Sequence, residues 1–248
     1  MLNYLTGELT VCSSFTIEDG EETPWNEIRG IIWSSVLLDG VASICDRMFF
    51  ACVNLRSVQI PKSVTSIGRE SFSYCHYLET INIPDLVETV GDAAFNGCGF
   101  SSIKIPGSVT SFGGNAFTEC NHLKEIDVSE NPNFVFEDDV LMGKRITQII
   151  YCNPSKSGDY SITDTVTTIC ACAFQGCNRL ISIMIPSTVV SVGKCAFDGC
   201  TELTSVEFTG SASSIGSYAF RNCKSLESIV IPRSFSSIGN KAFSGAVY

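Results

Sequence analysis

Thirteen cysteines and two histidines are the residues of this 248-residue chain whose types best suit chemistry. Cys170, Cys172 and Cys177 crowd into eight positions, as the first ligands of a zinc cluster would, but such a site needs four ligands converging on one ion. His76 and His122 are the only imidazoles available to a metal or to general acid–base work. The acidic runs at 18–22 and 137–139 offer oxygen ligands, yet neither has the alternating ligands and central Gly of a calcium loop. Solvated loop charge is the reading they support. No glycine-rich phosphate loop and no nucleophile elbow is present. The expectation is therefore a chain that is not an enzyme and carries no cofactor and no metal.

What must position these side chains is a repeat. From Val41 onward the sequence returns at a fixed period to Val-x-Ser-Ile-Gly-x-x-Ala-Phe-x-x-Cys-x-x-Leu-x-x-Ile-x-Ile-Pro. Units begin at Val41, Val64, Val87, Val109, Val166, Val189, Ala212 and Phe235. The third is one position short, where Gly99-Phe100 follows Cys98, and the fourth is drawn out from Val109 to Thr165 by an insert. Such a period marks a solenoid whose turns bury their apolar faces only by stacking.

Register then sorts the chemistry. Cys52, Cys75, Cys98, Cys120, Cys177, Cys200 and Cys223 form one column, parallel to a Phe column, and read as small buried hydrophobes in van der Waals contact. Cys177 belongs to that interior column, which dissolves the apparent zinc cluster. Cys172 and Cys195 share a different slot, two positions before the Phe, held elsewhere by Arg47, Glu70, Ala93, Asn115 and Tyr218, and so expected to be exposed. One turn apart, they lie within the range a disulfide tolerates, in an oxidising compartment. Cys45 and Cys170 stand where other units have Gly. The odd cysteine count leaves at least one thiol unpaired in a monomer. His76 and His122, with a turn between them, are expected about 10 Å apart.

Within a unit, the Leu-x-x-Ile-x-Ile-Pro segment alternates apolar and polar residues, and Pro ends the pairing. Strands are predicted around Leu55-Val58-Ile60, Leu78-Ile81-Ile83, Leu123-Ile126-Val128, Leu180-Ile183-Ile185, Leu203-Val206-Phe208 and Leu226-Ile229-Ile231. Val-x-Ser-Ile is a second β-like stretch, closed by a Gly expected to be left-handed. The segment from that Gly to Cys suits a helical or 3₁₀ turn. The fold class is thus a solenoid of α/β type, predominantly β, with parallel stacked strands. Residues 1–40 fall outside the period and are expected to form an N-terminal β cap, with Trp25 as an aromatic anchor. Residues 41–248 form the repeat array.

Net charge is −10, with seven acids against Arg29 alone ahead of Val41. Neither part can steer toward phosphate backbones, so nucleic acid is not an expected partner. No run approaches the roughly 18 apolar residues of a spanning helix, so membrane insertion is not expected. Residues 1–8 lack the basic start and apolar run of a secretory signal. The last turn, through Phe243 to Tyr248, has no visible cap, so end-to-end self-association or truncation is expected there.

The unit at 64–84, Val-Thr-Ser-Ile-Gly-x-x-x-Phe-x-x-Cys-x-x-Leu-x-x-Ile-x-Ile-Pro, resembles the BspA-like leucine-rich repeat, and the resemblance runs through nearly the whole chain. It implies a right-handed leucine-rich-repeat superhelix. The stretch through Asn131, Phe134, Val140 and Tyr151 is similar to a β-hairpin insert of such arrays, at about 129–162, and the segment 1–40 is similar to their cap. The resemblance implies a surface or secreted protein that adheres to host proteins or other cells, with no catalytic residues to carry over. A truncated array without independent function is the alternative.

A protein ligand would meet the outward strand positions. One row reads Gln59, Asn82, Lys104, Asp127, Met184, Glu207 and Val230; a second reads Arg56, Glu79, Ser101, Lys124, Ile181, Thr204 and Glu227. Ile181 with Met184 makes an apolar spot among polar neighbours, the kind of anchor protein interfaces use.

Overall fold

A computed structural model describes residues 2–3, 5–11, 23–210, 214–229 and 236–246. It divides into two compact units, Met1–Asn133 and Phe134–Tyr248. Val230, the acidic run at 18–22 and the starts of the last two repeats at Ala212 and Phe235 lie outside the described residues.

In the first unit, Leu2–Asn3 runs antiparallel to Glu8–Val11, which pairs in parallel with Ser34–Leu37, and that strand with Ser57–Gln59. A second parallel ladder stacks Ser43–Ile44, Ser66–Ile67, Thr89–Val90 and Ser111–Phe112, so that the repeated Ser-Ile pairs sit rung upon rung. Ser102–Lys104 and Glu125–Asp127 form a separate two-stranded sheet. The strand predicted around Leu78-Ile81-Ile83 is not formed: residues 78–84 lack ladder pairing. The following turn is the shortened one, so its rung arrives one position early: Ser66 to Thr89 is a full period, whereas Thr89 to Ser111 falls one short.

The second unit begins with an antiparallel meander of Phe134–Glu137, Val140–Gly143 and Gln148–Cys152. Asp138 and Asp139 at its first turn both have positive φ, as a tight hairpin demands. Gln148–Cys152 then opens a parallel ladder with Thr168–Ile169, Ser191–Val192, Ser214–Ile215 and Ser237–Ile238. On the other face Ser157–Ser161, Arg179–Ile185, Ser205–Phe208 and Ser228–Ile229 pair in parallel. Both units are thus parallel β-solenoids. Among the described residues the one 3₁₀ helix is Asn26–Ile31.

The predicted helical turn between Gly and Cys is instead a run of tight turns, and its backbone explains why. The residues two before and two after each Phe are left-handed in every described turn, for example Arg47 and Ala51 around Phe49, and Cys195 and Gly199 around Phe197. Their alternation points three N–H groups per turn at the next turn: Arg47 N donates to Arg69 O, Phe49 N to Ser71 O and Ala51 N to Ser73 O, at 2.7–2.8 Å. The left-handed cost of about 1–2 kcal/mol per non-Gly residue is offset because these N–H groups, turned away from water, all find carbonyl partners.

The repeat Gly is not the left-handed residue. It is required by close approach: a Cβ on Gly91 would sit 2.6 Å from Arg69 N, and one on Gly193 2.5 Å from Ala171 N. Cys45 and Cys170 occupy the Gly slot where no preceding repeat turn presents that backbone. Cys45 follows the first strand of its ladder, and Cys170 follows Thr168–Ile169, which pairs onto the last strand of the meander.

The core follows from the columns. Phe49, Phe72, Phe95 and Phe117 stack at 5.3, 5.8 and 5.9 Å, with Trp25 stacked on Phe49 at 6.2 Å. Trp25 Nε1 donates to Met48 O at 2.8 Å, which satisfies the indole where it is buried. In the second unit Phe174, Phe197, Phe220 and Phe243 stack at 4.9, 5.0 and 5.5 Å.

Candidate functional site

The column cysteines do more than fill space. Cys75 Sγ donates to Phe49 O at 3.1 Å, Cys98 to Phe72 O at 3.2 Å and Cys120 to Phe95 O at 3.0 Å. Cys200 and Cys223 repeat the bond to Phe174 O and Phe197 O at 3.2 Å. Each thiol therefore ties its turn to the one before, where the purely van der Waals ladder expected from sequence has no directional bond. Burial pushes Cys52, Cys120 and Cys223 up to about 12, and Cys75, Cys98 and Cys200 well above the ordinary thiol range. These are donors held neutral, which argues against thiolate nucleophiles or metal ligands in the column.

Cys172 and Cys195 are not exposed, as their slot predicted, but 8% and 9% accessible. Residues of that slot lie along the turn-to-turn ladder, so their side chains lean on the neighbouring turn. The Cys172 thiol donates to Lys194 O, beside Cys195 in the next turn, at 3.8 Å.

The acidic turn at 137–139 is an internally paired hairpin: Lys156 Nζ reaches Asp138 Oδ2 at 2.5 Å and Asp138 O at 3.0 Å. His76 and His122 border one notch across the shortened turn, and His76 Nδ1 lies 2.9 Å from Gly97 O. With His76, Tyr77, Glu79, Thr80, Gly99 and Ser101, His122 lines an open notch of about 570 Å³. The notch exists because Gly99 drops onto the preceding turn, where an added Cβ would come within 2.1 Å of His76 O. Among the described residues no group of three or more His, Cys, Asp or Glu is placed to hold a metal ion.

The outward rows present chemically distinct surfaces in the two units. In the first, Arg56, Gln59, Ser101, Lys104 and Lys124 are exposed, as are Glu79 and Asn82 on the unpaired 78–84 segment, and Asp127 is half-buried. Lys104 and Asp127 are cross-strand partners, and Lys104 also pairs with Glu130 at 2.8 Å. Sequence reasoning missed one cluster: the Arg56 guanidinium lies over exposed Trp33 at 5.9 Å and exposed Tyr77 at 5.7 Å. Trp33 precedes the repeats, so no column predicted it.

In the second unit Ile181 and Met184 are 46% and 42% exposed, on the seven-residue strand Arg179–Ile185. Strict alternation would turn one of them inward. The pairing with Ser157–Ser161 shifts register between Gly158 and Asp159, opposite Ile181, but the same two positions also face out without a bulge at Arg56 and Gln59. Met184 sits between Ser161 and Glu207; Thr204 is half-buried and Glu227 exposed.

A model of the BspA type leucine rich repeat region matches in six copies, over residues 42–161 and 144–247. The chain belongs to the BspA-type leucine-rich repeat family. No curated protein matches it. Among solved structures it is similar to a leucine-rich repeat protein from Eubacterium ventriosum, at 22% identity and TM-score 0.63 over 97% of this chain and 90% of that one. It is equally similar to a leucine rich cell surface protein from Faecalibacterium prausnitzii, at 22% identity and TM-score 0.64 over 99% and 89%. The pneumococcal vaccine antigen PcpA aligns at 19% identity and TM-score 0.74 over 93% of this chain and 64% of the antigen. At these identities the likeness shows the fold. For a BspA-type repeat the Phe, Leu and Cys columns belong to the scaffold, and the outward rows, the notch and the Cys172 slot are where this member differs from turn to turn. No helix among the described residues is long and apolar enough to cross a membrane.

Proposed function

We propose that this BspA-type protein is a noncatalytic binding module that holds a partner protein on its outward strand rows, in an adhesion role. The observation that carries the reading is the exposure of Ile181 and Met184 together on one hydrogen-bonded strand. Two large apolar side chains turned to solvent give nothing to the core. At an interface the same pair is an anchor ringed by polar residues, here Ser161, Thr204, Glu207 and Glu227. The first unit adds a cation held between two aromatic rings, residue types that dominate interface energetics.

The family is defined by its repeat, and the fold neighbours include a cell surface protein and a vaccine antigen. Those descriptions support a surface setting for this chain. The acidic net charge disfavours nucleic acid as the partner. The test is a titration of the purified chain against immobilised host cell-surface and extracellular proteins. Saturable binding to a defined protein supports the reading; no saturable partner across the panel counts against it.

A further inference from the structure

We propose that Cys172 and Cys195 are a disulfide site, a covalent tie between two successive turns of the 134–248 unit that closes in the presence of a low-molecular-weight disulfide. The geometry is specific to this pair. Both occupy the slot two positions before the Phe, both have φ of 55°, and Cys172 N donates to Lys194 O at 2.9 Å, so their backbones are adjacent rungs of one ladder. Adjacent rungs of a parallel ladder lie about 4.8 Å apart, within the Cα range of a disulfide, and the rings of Phe174 and Phe197, two positions along, stack with centroids 4.9 Å apart. The Cys172 thiol is turned toward the next turn, donating to the carbonyl of Lys194, the residue before Cys195, at 3.8 Å. Every other described unit has a non-cysteine residue in this slot, so the pair is not a by-product of the repeat.

The column cysteines also come one per turn, but they differ in two respects. Their thiols donate to Phe carbonyls of the preceding turn, and they are wholly buried, so an oxidant cannot reach them. Cys172 and Cys195 lie at the margin of the core, beside Lys194 and Arg221. Burial holds both thiols up, Cys172 to about 12; at Cys195 burial and Asp198 raise the thiol, and Arg221 and Lys194 oppose them. Cys195 is therefore the first to react.

With glutathione disulfide as oxidant, the Cys195 thiolate attacks one sulfur, the glutathione S–S bond breaks and one glutathione thiolate leaves. The Cys172 thiolate then attacks the Cys195 sulfur and expels the second glutathione. Two protein thiols give up two protons and two electrons, and one glutathione disulfide becomes two glutathione thiols. The ring so closed contains the whole strand Arg179–Ile185, with Ile181 and Met184 on it. The tie fastens the turn that presents the apolar pair to the turn behind it.

The full chain is incubated with glutathione disulfide at about pH 8, where the more acidic thiol exchanges, then alkylated while folded, digested and mapped by mass spectrometry. The expected result is a linked Cys172–Cys195 peptide, slower amide exchange across 173–194, and reversal of both by dithiothreitol. Cys172→Ser should leave Cys195 as a mixed disulfide with glutathione, and Cys195→Ser should give no link. Recovery of both thiols as alkylated or singly glutathionylated in folded wild-type chain overturns the proposal. So does a link that runs through a column cysteine instead.

Discussion

The Cys98 thiol donates to the carbonyl of Phe72, one turn earlier, at 3.2 Å, and Cys98 N–H binds the carbonyl of Phe95 in its own turn at 3.1 Å. The Phe95 carbonyl in turn accepts the Cys120 thiol of the following turn, so it receives one bond from within its turn and one from the next. The Cys column is a hydrogen-bonded seam beside the stacked rings. Cys98→Ala removes a donor and a buried sulfur together, and should lower stability by about 1–3 kcal/mol. A urea titration of both proteins measures it; equal midpoints would show that the S–H bond and its packing contribute nothing.

The rings themselves carry a larger share. Phe95→Ala in the first unit and Phe197→Ala in the second each open a cavity between stacked neighbours, at a cost of about 3–5 kcal/mol. Chemical denaturation followed separately by protection in each unit checks both, and wild-type protection around either cavity would refute the interior assignment.

Alkaline pH should unfold the chain through its thiols. Cys52, Cys120 and Cys223 are raised from an ordinary value of 9.0 to about 12 by burial, so the neutral form is favoured in the folded state. Above pH 9 the unfolded chain ionises first. Their stabilisation is therefore complete below pH 9 and is lost as pH rises from 9 to 12. Urea midpoints across that window should fall less steeply for Cys120→Ala than for wild type, once each is referred to its own value at pH 7.

Two glycine substitutions separate close approach from backbone handedness. Gly193→Ala drives a methyl against Ala171 N, 2.5 Å away, and should cost about 1–3 kcal/mol through turn displacement. Gly176→Ala meets nothing within 4 Å but sits at φ +76°, so its cost is the left-handed strain alone, about 1–2 kcal/mol. Circular dichroism melts of the two variants, with a Gly193→Ala crystal structure showing widened turn spacing, would check the assignment. An unshifted Gly193→Ala melt would contradict it.

The parts of this fold that were legible in sequence are those where one side chain must be interior on every turn. Phe, Leu and Cys recur because each stacks on its own copy, and the Ser-Ile pairs because their rungs align. The left-handed pairs were not legible, since Arg47, Glu70, Ala93, Asn115 and Cys172 share no side-chain property. Their conformation is held by bonds to the next turn, which a local reading of residue type does not see. For the same reason the slot of Cys172 and Cys195 looked exposed although the ladder folds it against a neighbour. The missing strand at 78–84 and the notch of His76 and His122 both trace to one deleted position after Cys98, visible in the sequence but with a three-dimensional consequence. The outward positions of Ile181 and Met184, three apart, were legible from the repeat rows, because Arg56 and Gln59 hold the same two outward positions, although alternation alone would turn one of them inward.

The central claim is that the outward face of Arg179–Ile185 engages a partner protein. The most direct measurement is the dissociation constant of a captured partner for wild type, Met184→Glu and Ile181→Ser, with amide exchange confirming that each variant keeps its turns. A buried charge at an interface core, or loss of an anchor, should weaken binding at least about tenfold, which corresponds to about 1.4 kcal/mol. Unchanged affinity in folded Met184→Glu and Ile181→Ser would contradict the claim.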